Sequence, residues 1–319
     1  MQKLLVTRPL PDAVIEALSS EFETTVRPET SPMPAEDMTT ALQDYDALLP
    51  TLRDPLSAEV IAAAEDIRCK ILANFGVGYN HIDVAAAEAA GMLVTNTPGA
   101  VTDATADIAM TLMLMTCRRA GEGERVVRAG NWDGWHPTQF LGMHMTGKTV
   151  GIVGMGRIGK AIAKRAALGF DMKVVFFNRS PVADPGVPAT QLETLESVCS
   201  ASDIVVVAVP ATPETHHIIN AAALAAMQEH TILVNIARGD VVDETALIEA
   251  LEAGKIGGAG LDVYEFEPEV PKALMAMENV TLFPHLGTAA LEVRVDMGLM
   301  AAANLNAWIA GEELPNRVS

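Results

Sequence analysis

One stretch limits the fold more than any other: Lys148 to Gly169, KTVGIVGMGRIGKAIAKRAALG. Val150 to Val153 reads as a short buried strand. Gly154, Gly156 and Gly159 follow at the spacing G-x-G-x-x-G, and a helical pattern follows them. Its stripe is Ile158, Ile162 and Ala166, with Lys160 and Arg165 off it. Gly169 stands where a glycine would end that helix. A glycine triplet alone is weak; between a strand and a helix it has the context that a dinucleotide fingerprint needs. Gly154 allows the tight turn, Gly156 lets backbone approach a pyrophosphate, and Gly159 lets helix pack on strand. The helix start, with Met155, Arg157 and Ile158 among the glycines, then turns N–H groups and partial positive charge to the phosphates.

The rest of the composition fits a buried α/β protein. At 319 residues the chain is comfortable for two domains. Half the residues are hydrophobic and 20% are charged, so the chain is globular and not disordered. The formal charge of −19 argues against nucleic acid or an anionic membrane as partner. An anionic ligand therefore needs a local cation. Cys69, Cys117 and Cys199 have no paired spacing and read as small buried hydrophobes in a reducing compartment. The opening MQKLLVTRPL carries charge too early, and too short an apolar run, for a signal peptide. The apolar run Ile108–Cys117 is far shorter than a membrane span. A cytoplasmic address is expected.

Residues 1–98 alternate strand and helix patterns: strands at Lys3–Thr7, Asp46–Leu49, Lys70–Ala73 and Met92–Thr95, helices at Pro11–Ser20, 35–43, 57–65 and Asp83–Ala90. That rhythm predicts a parallel sheet flanked by helices. A helix starts at Thr102–Asp103 and is expected to stop at Gly121, and its all-round apolar middle predicts burial on several sides. Residues 121–147 read as irregular and carry Trp132 and Trp135. After the glycine turn come strands at Lys173–Phe177, Ile204–Val209, Ile232–Ile236, Ala259–Val263 and Val280–Phe283, with helices at Ala221–Gln228 and Glu244–Ala253, the latter capped by Asp243. Thr288–Ala310 reads as one long helix stopped by Gly311.

Ligands of such sheets sit beyond the carboxyl ends of the strands. Past Phe177 stand Asn178, Arg179 and Ser180, about 20 residues beyond the third glycine, where an acid would read an NAD ribose. This chain has an amide, a guanidinium and a hydroxyl there. They suit a phosphate dianion, so NADP(H) is expected to be preferred, with NAD(H) possible. Past Val209, the stiff loop Pro210-Ala211-Thr212-Pro213, with Thr215 just beyond, is expected to wall the nucleotide. Past Ile236 come Ala237 and Arg238; past Val263 come Glu265 and Glu267; past Phe283 come His285 and Gly287. Hydride transfer to a 2-oxo acid needs such groups: a cation for the substrate carboxylate, an imidazole as proton donor, and a carboxylate to orient it. Glu265 and Glu267 compete for the last role; on a strand they would share a face.

Four stretches, VGIVGMGRIGKAIA, VNIARGDVVDETAL, GAGLDVYEFEP and LFPHLGTA, resemble the D-isomer-specific 2-hydroxyacid dehydrogenases in order and over nearly the whole chain. The resemblance implies two Rossmann-like or flavodoxin-like parallel-sheet domains with the active site in the cleft between them. It makes the substrate domain discontinuous, 1–98 plus 288–319, around a nucleotide domain at 99–287. It gives Arg238 the substrate carboxylate and keto group, His285 the proton, and Glu267 the pairing with His285. FGVGYNHIDV resembles the family's substrate loop, with the N–H groups of Val77 and Gly78 on the carboxylate. Asp262 matches a partner of the nicotinamide carboxamide. Glu at 267, where formate dehydrogenases of the superfamily carry Gln, argues against that activity. Asn-Arg-Ser at 178–180 and Trp135 in GNWDGWHP resemble the glyoxylate/hydroxypyruvate reductase branch. There the matching Trp enters the neighbouring subunit's site, so a homodimer is expected. The chain ends soon after the long helix, so the regulatory extension of many phosphoglycerate dehydrogenases is not expected.

The expected activity is NADPH-dependent reduction of glyoxylate and hydroxypyruvate. Other readings are a reductase for bulkier acids such as phenylpyruvate, with Phe140, Met143 and Met145 lining its pocket, a phosphite-type dehydrogenase, and a dinucleotide-sensing corepressor-like protein. The remaining histidines read as surface or satisfied core residues, and the side chains of adjacent His216 and His217 are expected to diverge; no metal site is expected.

Overall fold

The structure is a computed structural model that describes residues 1–318. The chain forms two compact units, Met1–Val101 with Ala289–Ser319, and Thr102–Thr288. The first unit begins β1 (Gln2–Val6), α1 (Asp12–Ser19), β2 (Phe22–Val26), α2 (Ala35–Asp44), β3 (Ala47–Leu49), α3 (Ala58–Ala62), β4 (Ile71–Ala73), α4 (Val84–Ala89) and β5 (Leu93–Thr95). Its sheet has the order β2-β1-β3-β4-β5 with every pairing parallel. Leu48, Leu72 and Val94 of three adjacent strands bury one face under α2 and α3.

The second unit opens with α5 (Thr102–Cys117) and α6 (Ala120–Arg128), then β6 (Thr149–Val153), α7 (Arg157–Phe170), β7 (Lys173–Phe177), β8 (Ala189–Gln191), α8 (Leu195–Ala201) and β9 (Ile204–Val207). It ends with α9 (Ala221–Ala225), β10 (Ile232–Asn235), α10 (Glu244–Glu252), β11 (Gly258–Leu261), α11 (Lys272–Ala276) and β12 (Val280–Leu282). The sheet order is β12-β11-β10-β9-β6-β7-β8, all parallel. Both faces are covered, and this explains why the strands read as continuous apolar runs. Along β9, Val205 and Val207 enter one core with α8, α9 and α10, while Ile204 and Val206 enter the other with α5 and α7. Each such side chain contributes about 1.5–3 kcal/mol by leaving water. The chain then returns to the first unit through α12 (Leu291–Ala310), which packs on α1 where Gly298 leaves room for Val14.

The apolar helix α5 is buried within its own unit, against α7 and the β10–β12 face. Other expectations need correction. The helix after the glycine turn does not end at Gly169. It runs to Phe170, and Asp171 takes the left-handed turn at φ 51°, a conformation that short polar side chains tolerate. Gly121 stops nothing: Arg119 breaks α5 from α6 at φ 51°, and α6 runs straight through Gly121 and Gly123. A helical glycine costs only about 1 kcal/mol. Here the ion pairs Arg119–Glu122 and Arg128–Glu124 accompany it. The strands β2 and β8 were not expected because they lie at sheet edges and carry few apolar residues, FETTV and ATQ. The short helices α8 and α11 were also not expected.

Candidate active site at the strand ends of the second unit

The glycine turn has the geometry its spacing implies. Gly154 sits at φ +99°, and a Cβ there would come 2.8 Å from the Ala208 carbonyl oxygen. A Cβ on Gly159 would lie 2.2 Å from the Gly154 oxygen, so only glycine lets the helix seat on the strand. Gly156 differs: a Cβ there meets nothing within 4 Å, which leaves open space at the start of α7. The first-turn N–H groups of Arg157, Ile158 and Gly159 have no intrahelical acceptor. The Met155 N–H is already committed to the Asn178 side-chain oxygen at 3.3 Å. A dinucleotide pyrophosphate fits this cradle. The order β9-β6-β7 also places the turn at the sheet's topological switch point.

Beside it the loop after β9 is stapled by Thr215, whose hydroxyl donates to the Pro210 carbonyl at 2.6 Å and accepts the Thr212 N–H at 2.8 Å. Val209 packs on the core beneath it. Ile236 and Ala237 are buried in the core just before Arg238.

Strand register explains the next cluster. Asn235, Leu261 and Leu282 end β10, β11 and β12 side by side. The residues just past them therefore emerge together. Arg238 precedes Gly239, and a Cβ on Gly239 would fall 1.8–2.2 Å from the Tyr264–Glu265 backbone, so the arginine turn and the glutamate segment touch main chain to main chain. The Arg238 Nη1 donates to the Ala237 carbonyl at 2.7 Å. Its Nε is buried and has no partner among the described residues. Burial lowers the guanidinium pKa, against the opposing charges of Glu267 and Asp240.

His285 follows with its backbone at φ 57° and its Nδ1 3.0 Å from Glu267 Oε2. Its Nε2 makes no hydrogen bond among the described residues. Glu267 Oε1 accepts the Tyr264 N–H at 3.1 Å. Burial pushes the Glu267 carboxyl up, but the His285 hydrogen bond and charge, the Tyr264 N–H and Arg238 together hold it below the usual carboxylate range. Its ionised form therefore stabilises the fold above that range, and the contribution is lost as pH falls through the lowered value. Asp262 holds the turn that bears His285. Its carboxylate accepts Leu286 N–H at 2.6 Å and Gly287 N–H at 2.8 Å, and its carbonyl accepts His285 N–H at 2.9 Å. Burial raises its carboxyl against those two N–H bonds and the His285 charge. Both Asp262 oxygens thus serve the protein itself, and the Gly287 N–H is consumed with them.

Glu265 goes elsewhere. It lies on a turn and not on a strand, and its Oε1 is 2.9 Å from His217 Nε2. His216 and His217 do not diverge: His217 takes φ 50°, and the two rings stack at 3.9 Å with 23° between their planes. Of the residues considered for a bulky-acid pocket, Met145 is core beneath α5 and α7 with Met143 packed against it, and Phe140 lies under the Arg119 guanidinium at 5.7 Å. Trp135 is 79% exposed.

The loop after β4, taken by itself, is an amide cradle. Asn74 Nδ2 donates to the carbonyls of Gly76 and Gly78 at 3.0 and 3.1 Å, and Asn96 Nδ2 donates to that of Val77 at 2.9 Å. Three carbonyls are thereby drawn back, and the N–H groups of Val77 and Gly78 have no partner among the described residues.

Residues 110–287 match the NAD binding domain of the D-isomer specific 2-hydroxyacid dehydrogenases. The chain belongs to this family. It is 46% identical to a glyoxylate reductase of Thermococcus kodakarensis, over 99% of the chain and 96% of the relative. It is 38% identical to a glycerate dehydrogenase of Hyphomicrobium methylovorum, over 98% of each. An NADPH-dependent glyoxylate/hydroxypyruvate reductase of Sinorhizobium meliloti, solved with NADP and malonate, superposes with a TM-score of 0.88 at 36% identity, over 100% of this chain and 97% of that one. The protein is therefore an oxidoreductase with an NAD-binding Rossmann domain. Asn74, Asn96 and Gln191, whose amides brace loops of this dehydrogenase, belong to none of its sequence motifs. Their signal is weak, because an amide that braces a loop obeys no spacing rule.

Proposed function

We propose that this dehydrogenase reduces small 2-oxo acids, glyoxylate and hydroxypyruvate foremost, to D-2-hydroxy acids with NADPH. The observation that carries the reading is the buried, unpartnered Nε of Arg238 beside a histidine–glutamate pair. A buried donor without an acceptor is costly, and a substrate carboxylate or keto oxygen relieves it. His285 gives Nδ1 to Glu267 and presents Nε2 to the carbonyl oxygen as proton donor, a contribution on the order of 10²–10⁴-fold. Glu267 orients the imidazole through Nδ1. The bound reduced nicotinamide supplies the hydride. Arg238 polarises the keto group, and the N–H groups of Val77 and Gly78 take the carboxylate.

On the cofactor side, Arg179 and Ser180 stand where a ribose 2′-phosphate arrives, and no acid stands at 178–180 to repel it. The relatives' names, glyoxylate reductase and glycerate dehydrogenase, support the small substrate. We read residues 1–98 plus 288–319 as the substrate domain and 99–287 as the nucleotide domain. The exposed Trp132, Trp135 and Leu141 mark the surface that a second copy covers in a homodimer, with Trp135 reaching the partner's site. Buried thiols pushed up to about 12 suit a reducing cytoplasm. Among the described residues no helix is long and apolar enough to cross a membrane.

The test is NADPH consumption with glyoxylate, hydroxypyruvate and phenylpyruvate. Higher kcat/KM for the two small acids is expected; a phenylpyruvate optimum, or no turnover of any of the three, overturns the reading. Arg179→Asp should lower the NADPH/NADH ratio of kcat/KM by roughly 10–10³-fold; an unchanged ratio removes the NADPH preference.

A further inference from the structure

The loop that carries Arg179 is held by a residue that lies outside it. Gln191 ends the edge strand β8, which pairs with β7 in parallel register. Its Nε2 donates to the Asn178 carbonyl at 3.1 Å and to the Ser180 carbonyl at 3.2 Å, and its Oε1 accepts the Val182 N–H at 3.0 Å. One side-chain amide thus engages backbone groups on both sides of Arg179. Asn178 completes the brace from inside the loop. Its Nδ2 also donates to the Ser180 carbonyl, at 2.9 Å, and its Oδ1 accepts the Met155 N–H of the glycine turn. Arg179 itself makes no ion pair among the described residues; the carboxylate that feels its charge is Glu214, on the loop after β9.

These contacts have an electrostatic consequence. A phosphate dianion approaching 178–180 is attracted by the Arg179 guanidinium and by N–H and O–H donors, and repelled by any carbonyl oxygen turned toward it. The Gln191 amide draws the carbonyls of Asn178 and Ser180 toward β8. It also fixes in advance a surface loop that the cofactor would otherwise have to order on binding.

We propose that Gln191 is the positioning residue for 2′-phosphate recognition: it sets the preference for a phosphorylated dinucleotide by bracing the 178–182 loop. The inference rests on the NADPH reading above and adds a determinant that does not touch the phosphate. Gln191→Met keeps nearly the same length and removes all three hydrogen bonds. Gln191→Glu keeps the acceptor for Val182, loses both donated bonds and adds a negative charge beside the loop.

The experiment measures binding apart from turnover. Calorimetric titrations of the full chain with adenosine 2′,5′-bisphosphate and with adenosine 5′-monophosphate, which differ by the 2′-phosphate, give the 2′-phosphate discrimination directly. In Gln191→Met the bisphosphate Kd should rise about tenfold, a change of about 1.4 kcal/mol, while the monophosphate Kd stays unchanged. KM for NADPH should rise in parallel with kcat and KM for NADH unmoved, and Gln191→Glu should discriminate still less. If the wild-type chain prefers the bisphosphate and Gln191→Met weakens both ligands equally, or neither, Gln191 is only a structural brace and the proposal falls while the NADPH reading stands. If the wild-type chain binds both alike and uses NADH as well as NADPH, the NADPH reading fails and takes the proposal with it. A thermal melt of each variant separates lost discrimination from lost folding.

Discussion

Glu265 and Glu267 stand two residues apart on one turn, and each holds a histidine nitrogen at about hydrogen-bond length, 2.9 Å to His217 and 3.0 Å to His285. Chemically the two pairs are alike. Their placements are not. His285 follows the end of β12 and spends Nδ1 on its glutamate, while its Nε2 makes no hydrogen bond among the described residues; Arg238 lies close enough for its charge to act on that same glutamate. His217 spends Nε2 on Glu265, stacks on His216, and donates its backbone N–H to the Asp240 carbonyl at 2.8 Å. Glu265 in turn donates its N–H to Glu244. The second pair ties together the loops that follow β9, β10 and β11. In the proposed reading the first pair acts on substrate and the second braces loops; what differs around them is the Arg238 charge beside the one and the stacked His216 ring and the Asp240 carbonyl beside the other.

Three substitutions press on this contrast. The largest effect belongs to His285→Ala, which should lower kcat on the order of 10²–10⁴-fold while NADPH binding, followed by fluorescence titration, stays near wild type. Loss of cofactor binding would mean that the imidazole serves the nucleotide and not the proton. Next comes Glu267→Gln, with kcat down roughly 10–100-fold, the loss typical of removing the group that orients a working histidine. The sign of its pH effect follows from Glu267 itself: the carboxyl is held below the usual carboxylate range, so wild-type activity is kept until pH falls through that lowered value, and Glu267→Gln displaces this acid limb. The smallest effect belongs to Glu265→Gln. It weakens a partly exposed brace by about 1 kcal/mol and should lower Tm by roughly 2–4 °C. Its pH profile should keep the wild-type limb; a limb displaced as in Glu267→Gln would dissolve the distinction between the pairs.

Much of the fold was legible because burial writes itself into the sequence. The runs IVVV and ILVN read as strands covered on both faces and are such strands, and Asp243 caps α10 as its position before the helix suggests. The edge strands β2 and β8 were not legible, since an edge needs little apolar surface, and the helix through Gly121 was hidden because a helical glycine costs only about 1 kcal/mol, too little to stop a helix. The site divides the same way. The glycine turn announces itself through steric need at Gly154 and Gly159. Asn74, Asn96 and Gln191 do not, because a side-chain amide can brace any backbone that long-range folding brings to it.

The order of strand ends was already present in the chain as written. It put a glycine turn, a guanidinium, two carboxylates and an imidazole after successive apolar runs, because parallel strands deliver their following residues to one edge of the sheet. Which glutamate meets which histidine was decided only in three dimensions. That choice depends on the turn at 264–267, on the left-handed backbone of His217 and His285, and on the close approach at Gly239. These are contacts between residues far apart in sequence, and no local pattern encodes a distance between loops.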